Sequence, residues 1–114
     1  MKEGDIALAS LPQADGAFKL RPALLLRSMP PFGDWLVCGI STQLRQEVSG
    51  FDELLDLAHA DFAASGLKAP SLIRLGFLNV ISTKRLLGII GAVSPERHQR
   101  LVQKLSRHLL GTRA

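Results

Sequence analysis

The chain has a single cysteine, Cys38, which excludes an intrachain disulfide and any zinc pattern built on paired thiols. It lies inside the apolar run Trp35-Leu36-Val37-Cys38, where a packed structural thiol fits better than a reactive one. No close group of His, Asp, Glu and Cys has the spacing of a metal site. HExxH, GxSxG, a P-loop lysine and GxGxxG are all missing, so the reaction classes tied to them fall away. No apolar stretch approaches the ~18 residues of a membrane span. The first residues, Met1-Lys2-Glu3-Gly4-Asp5, are polar and hold no apolar signal core. The expectation is a cytoplasmic chain without a membrane partner. Internal repeats and low-complexity tracts are also absent.

What is present suits one domain over residues 1–114 with one core. The hydrophobic share of 46% is that of an ordinary globular protein rather than a disordered one. Fourteen basic residues against ten acidic ones give a net charge of +4, and the pI is about 9.8. That surplus favours an anionic partner, either nucleic acid or an acidic protein segment.

Taken in order, Ile6 and Leu8 alternate with small residues as in a half-buried strand. Pro12 and Asp15-Gly16 then predict an exposed loop over roughly residues 12–20. Ala23 to Arg27 is apolar on both faces, which predicts a central strand. Met29-Pro30-Pro31-Phe32-Gly33-Asp34 reads as a turn, and Trp35 to Ile40 as the strand that pairs back. Residues 51–66 are ambiguous: Phe51, Leu54, Leu55, Ala58 and Phe62 have helical spacing, yet Phe51 to Leu55 also reads as a short strand. Ser71 to Leu75 and Phe77 to Ile81 are strands with Gly76 between them, where a bulge or bend would fit. Gly88 to Val93 is another. Ser94-Pro95-Glu96 then has the signature of a helix start, Leu101, Leu105 and Leu109 form its apolar stripe, and Gly111 ends it. Arg97, Arg100, Lys104 and Arg107 on its other face read as solvated. His59 falls in a loop and His98 and His108 on the helix, as surface or packing residues. Short strands and one terminal helix suggest a small barrel-like sheet.

Two stretches could carry chemistry. In Lys19-Leu20-Arg21-Pro22-Ala23-Leu24-Leu25-Leu26-Arg27, Pro22 bars the helical region for Arg21 and sets it, extended, where an apolar strand begins. In Cys38-Gly39-Ile40-Ser41-Thr42-Gln43, a strand ends in two hydroxyls and an amide. A guanidinium offers five donors and a permanent charge to a phosphate, and a strand-end hydroxyl can donate to another oxygen of the same group. The bland alternative is a loop arginine paired with Asp5 or Asp15.

The chain resembles the PemK/MazF family of toxin endoribonucleases. The matching residues are Gly4-Asp5-Ile6, Arg21-Pro22-Ala23-Leu24-Leu25-Leu26, Ile40-Ser41-Thr42-Gln43, Ser71-Leu72-Ile73-Arg74-Leu75, and Ile81 with Lys84-Arg85-Leu86. They run in order over nearly the whole chain. The resemblance implies an SH3-like β-barrel with a C-terminal helix, assembled as a homodimer. It settles residues 51–66 as a strand over Phe51 to Leu55 and a helical turn around Asp61 to Ala64. It also implies cleavage of single-stranded RNA without a metal or other cofactor, by attack of a ribose 2′-hydroxyl that leaves a 2′,3′-cyclic phosphate. Arg21 falls on the family's catalytic arginine, and Ser41 on its catalytic threonine. Thr42 is a second candidate for that hydroxyl. Lys19 is expected to bind the RNA backbone and Gln43 to support the RNA-binding loop. A cognate antitoxin is implied as partner, with operator DNA as a further ligand of the toxin–antitoxin complex.

Two departures from the family stand out. The loop before Arg21 carries Lys19 and lacks the glutamate often found there, and Gly76-Phe77 replaces a polar pair. They keep a second reading open, a binding module of the same fold that represses its operon with an antitoxin or poisons gyrase in the manner of CcdB.

Overall fold

A computed structural model describes residues 1–111. Six strands are followed by one helix: β1 (Asp5–Pro12), β2 (Phe18–Met29), β3 (Asp34–Ser41), β4 (Glu53–Leu55), β5 (Ser71–Ile81), β6 (Leu86–Ala92) and α1 (Pro95–Leu110). They form one antiparallel sheet in the order β4-β5-β3-β2-β1-β6, curled into a half-barrel with the helix at its C-terminal end. The mainly β architecture expected from the sequence is the one observed.

The central position of β2 follows from its residues. Leu24 and Leu26 point into a core shared with Ile6, Cys38, Ile40, Ile73 and the helix residues Leu101 and Leu105. Ala23 and Leu25 point the other way, into a smaller core with Ala7, Leu11, Trp35, Val37 and Ile81. A strand buried on both faces needs apolar residues at every position, and the middle of β2, Ala23 to Leu26, has them. It also runs further back than the sequence suggested. Phe18 to Pro22 pair with β1 alone, so the loop shrinks to residues 13–17 and Arg21 sits inside the strand rather than at its start. Pro22 is tolerated because β3 pairs only from Ala23 onward, which leaves no ladder bond for Pro22 to donate on that side.

Residues 51–66 contain the short strand β4 and a 3-10 turn at Ala63–Ser65. The helical spacing that competed for this segment did not prevail. Strands β4 and β6 are the two ends of the sheet, and no ladder joins them. The gap is filled by the 3-10 turn, which lies directly on β6. A Cβ on Gly66 would overlap the carbonyl of Ile90, and one on Gly91 would overlap the backbone of Ala64 and Ser65. Gly66 also has φ +74°, a conformation that other residues adopt at a cost.

The helix ends as its sequence requires. The Ser94 Oγ accepts the backbone N–H of Arg97 at 3.1 Å, Pro95 opens the first turn, and Gly111 closes the last. Leu101 and Leu105 are buried, but Leu109 is exposed, so the apolar stripe stops one turn early. The basic face departs further from expectation. Arg97 is only 5% exposed and pairs with Glu53 and Asp61, each at 2.8 Å. Arg100 and Lys104 reach Glu53 as well. Most of this face is therefore an ion-pair network that pins α1 to β4 and the loop behind it. The acids come from the segment whose course the sequence left open.

Candidate functional site

Arg21 and Ser41 each lie two residues beyond the Ala23–Gly39 pair, at the end of the β2–β3 ladder. Strand residues two apart share a face, so both side chains leave the sheet on the same side at the same end. They line two adjoining clefts in common. The first, about 500 Å³, has an apolar floor that includes Leu8, Leu20, Leu67 and Ile90, with Lys19, Lys68 and Thr42 at its wall. The second, about 410 Å³, is bordered by Gln13, Gln43, Gln46, Arg74 and Phe77. Arg21 and Ser41 stand on the ridge between them.

The Arg21 side chain has no carboxylate partner among the described residues. Its Nε donates to Gln13 Oε1 at 3.0 Å, which fixes the guanidinium and leaves its terminal nitrogens for a ligand. The alternative of a pair with Asp5 or Asp15 is not what forms. Asp5 accepts the backbone N–H of Lys2 and Asp15 that of Ala17. Ser41 is buried, and its Oγ accepts the Gln43 N–H at 3.0 Å, so its own proton is available to donate. Thr42 is exposed and borders only the first cleft. Lys19 borders the first cleft and Gln43 the second, so the five residues singled out from the sequence converge on one region.

The structure adds residues that the sequence did not single out. Gln13 orients Arg21, Lys68 adds a cation to the first cleft, and Gln46 and Arg74 border the second. Arg74 belongs to the stretch Ser71-Leu72-Ile73-Arg74-Leu75, which the sequence marks only as a strand. No carboxylate, imidazole or thiol of the described residues lines either cleft. The ionisable groups there are all Lys or Arg, which gives the site a positive potential suited to a polyanion. The three histidines sit elsewhere: His98 Nε2 lies 2.8 Å from the Leu26 carbonyl oxygen, His108 meets the Phe51 ring, and His59 pairs with Asp56. Cys38 is buried, and burial, with a smaller effect from the Asp52 charge, pushes its thiol up to about 12.

No group of three or more His, Cys, Asp or Glu side chains that could hold a metal occurs among the described residues. No helix of the described residues is long and apolar enough to cross a membrane.

Comparison with known proteins agrees with this picture. A family model described as PemK-like, MazF-like toxin of type II toxin–antitoxin system matches residues 2–109. Among solved structures, the Mycobacterium tuberculosis toxin MazF-mt6 superposes with a TM-score of 0.67 at 23% identity, covering 96% of this chain and 99% of that one. At that identity the likeness speaks for the fold. No curated protein matches the chain.

Proposed function

The chain belongs to the PemK-like, MazF-like toxins of type II toxin–antitoxin systems, and from that premise we propose that it is a metal-independent endoribonuclease acting on single-stranded RNA. The observation that carries the proposal is the Arg21–Ser41 ridge, a guanidinium with free terminal nitrogens beside a hydroxyl with a free proton. In the proposed reaction the ribose 2′-hydroxyl attacks the adjacent phosphorus and the bond to the 5′-oxygen of the next nucleotide breaks. A 2′,3′-cyclic phosphate and a 5′-hydroxyl result. The dianionic phosphorane is the point of highest charge, and a fixed guanidinium stabilises it more than the monoanionic ground state. Ser41 donates to a second phosphate oxygen and holds it for in-line attack. The proton released by the 2′-hydroxyl ends on the leaving 5′-oxygen, and Arg21, which stays charged, stabilises the oxygens between which it passes. Thr42, limited to one cleft, is the secondary hydroxyl. Lys19 and Lys68 hold the RNA backbone along the first cleft.

The same cleft fits the antitoxin that a type II toxin implies. An apolar floor with Lys19, Arg21 and Lys68 around it suits an acidic segment with interspersed apolar residues. Such a segment would cover the ridge and block RNA. The homodimer and operator binding by the toxin–antitoxin complex belong to this proposal.

The test is incubation with a long single-stranded RNA in excess EDTA, beside Arg21→Ala. Discrete cuts with 5′-hydroxyl ends in the wild type, absent in a mutant of unchanged circular dichroism, are expected. Equal cutting by a folded Arg21→Ala would remove Arg21 from the mechanism. Intact RNA in both lanes would favour the binding-module reading.

A further inference from the structure

Along β5, Arg74 and Phe77 are three positions apart. In a regular strand they would face opposite sides of the sheet. Here the Arg74 guanidinium lies over the Phe77 ring, 5.9 Å from its centroid, and both residues border the second cleft. The register explains the exception. Cys38 pairs with Leu78 and Ile40 with Ile73, so two steps of β3 face five steps of β5. The irregular stretch contains Gly76. The Leu75 N–H it frees donates to Asp52 Oδ1 at 3.1 Å, and Asp52 Oδ2 accepts Val48 N–H at 2.9 Å. On the other side Phe77 rests on Gly39, where a Cβ would lie 2.5 Å from the ring. A break in the ladder, a buried carboxylate satisfying it and a missing side chain together hold one arginine against one ring.

That arginine has no hydrogen bond or ion pair with any described residue. Arg21 and Ser41 close one side of the second cleft, where the phosphate is placed, and the amides of Gln13, Gln43 and Gln46 border the rest. A second guanidinium kept in place but unpaired there is equipped to read a neutral ligand edge with two acceptors. Guanine presents two acceptors, O6 and N7, on one edge, the commonest partner of a guanidinium fork, whereas adenine places a donor at the position of O6. We infer that the second cleft is a guanine subsite next to the scissile phosphate, with Arg74 as the reading residue and Phe77 as its positioning residue. The position beside the scissile phosphate rests on the ribonuclease proposal; the base preference itself does not.

The experiment therefore reads binding rather than cleavage. Fluorescence anisotropy is measured with uncleavable 2′-deoxy oligouridylates carrying one guanine, one adenine or one 7-deazaguanine. The guanine strand is expected to bind about ten-fold tighter than the adenine strand, and 7-deazaguanine, which lacks one of the two acceptors, is expected to lose most of that gain. Arg74→Lys keeps the charge and loses the planar fork, so the guanine-to-adenine ratio should fall to about one. Phe77→Leu should lower the ratio and Phe77→Tyr retain it. Equal affinity for guanine and adenine strands would overturn the inference, as would a loss in Arg74→Lys that is uniform across strands, the mark of a phosphate contact. Guanine preference without RNA cleavage would sink the ribonuclease reading and leave the subsite standing. Cleavage without guanine preference would do the reverse.

Discussion

Gly39 illustrates how far single residues decide this site. It carries no side chain, and Phe77 occupies the space, with Arg74 laid over the ring in turn. Gly39→Ala should therefore lower stability by about 1–3 kcal/mol in denaturant melts, through overpacking, and disturb the second cleft together with the core beneath it. The thiol of Cys38, with its pKa pushed up to about 12 by burial and then by Asp52, should not react with a thiol reagent until the chain unfolds. Because no carboxylate or imidazole lines the clefts, the cleavage rate should show no inflection between about pH 5 and 8, where a catalytic histidine would titrate. A bell-shaped profile in that range would point to a general base outside the two clefts. Arg21 proved to lie inside β2 rather than at its start. It and Ser41 were legible in the sequence chiefly through the family resemblance, since an Arg-Pro pair and a Ser-Thr strand end are weak signals alone. Arg74 and Phe77 were not: their spacing puts them on opposite faces of any regular strand, and only the broken register brings them together.

At the scale of elements, the terminal helix was legible at both ends, since its cap, opening proline and closing glycine are local signals. What its basic face meets was not, because Glu53 and Asp61 lie more than thirty residues away in a segment of ambiguous spacing. Burial alone would raise the pKa of Glu53, but hydrogen bonds from Arg100 and Lys104 outweigh it and bring the group from 4.5 down to about 2. Asp61 falls from 3.8 to about 2, where burial is likewise outweighed by Arg97 and the Ser94 N–H. A folded-state pKa below the unfolded one stabilises the fold above the unfolded value, and that stability is lost as pH falls toward the folded one. Thermal midpoints should thus hold down to about pH 5 and drop between about pH 4.5 and 2. Glu53→Gln should remove the larger share of that acid sensitivity. It should also cost about 3–5 kcal/mol at neutral pH, because Arg97 loses one of its two buried partners.

For the molecule as a whole, the excess of positive charge and the cations around both clefts predict RNA binding that weakens steeply with salt. A plot of log affinity against log salt concentration should have a slope of roughly −0.7 for each phosphate neutralised. Particles of twice 12.4 kDa are expected in light scattering if the homodimer forms. The overall fold class was readable from the alternation of short apolar runs and turns. The way the sheet comes to an end was not, because it depends on bare backbone contacts at Gly66 and Gly91. There the rim of the half-barrel is a seam without stitches: among the described residues, no backbone hydrogen bond crosses from the 3-10 turn to β6. Gly66 and Leu67 on one side of the seam and Ile90 on the other all border the first cleft. A ligand lying in that cleft would touch both lips at once and act as the missing stitch. The β6 amides that point away from β1 should exchange quickly with deuterium in the free protein and slow when an RNA strand or an acidic peptide is bound. The seam would then report occupancy of the cleft without any reaction taking place.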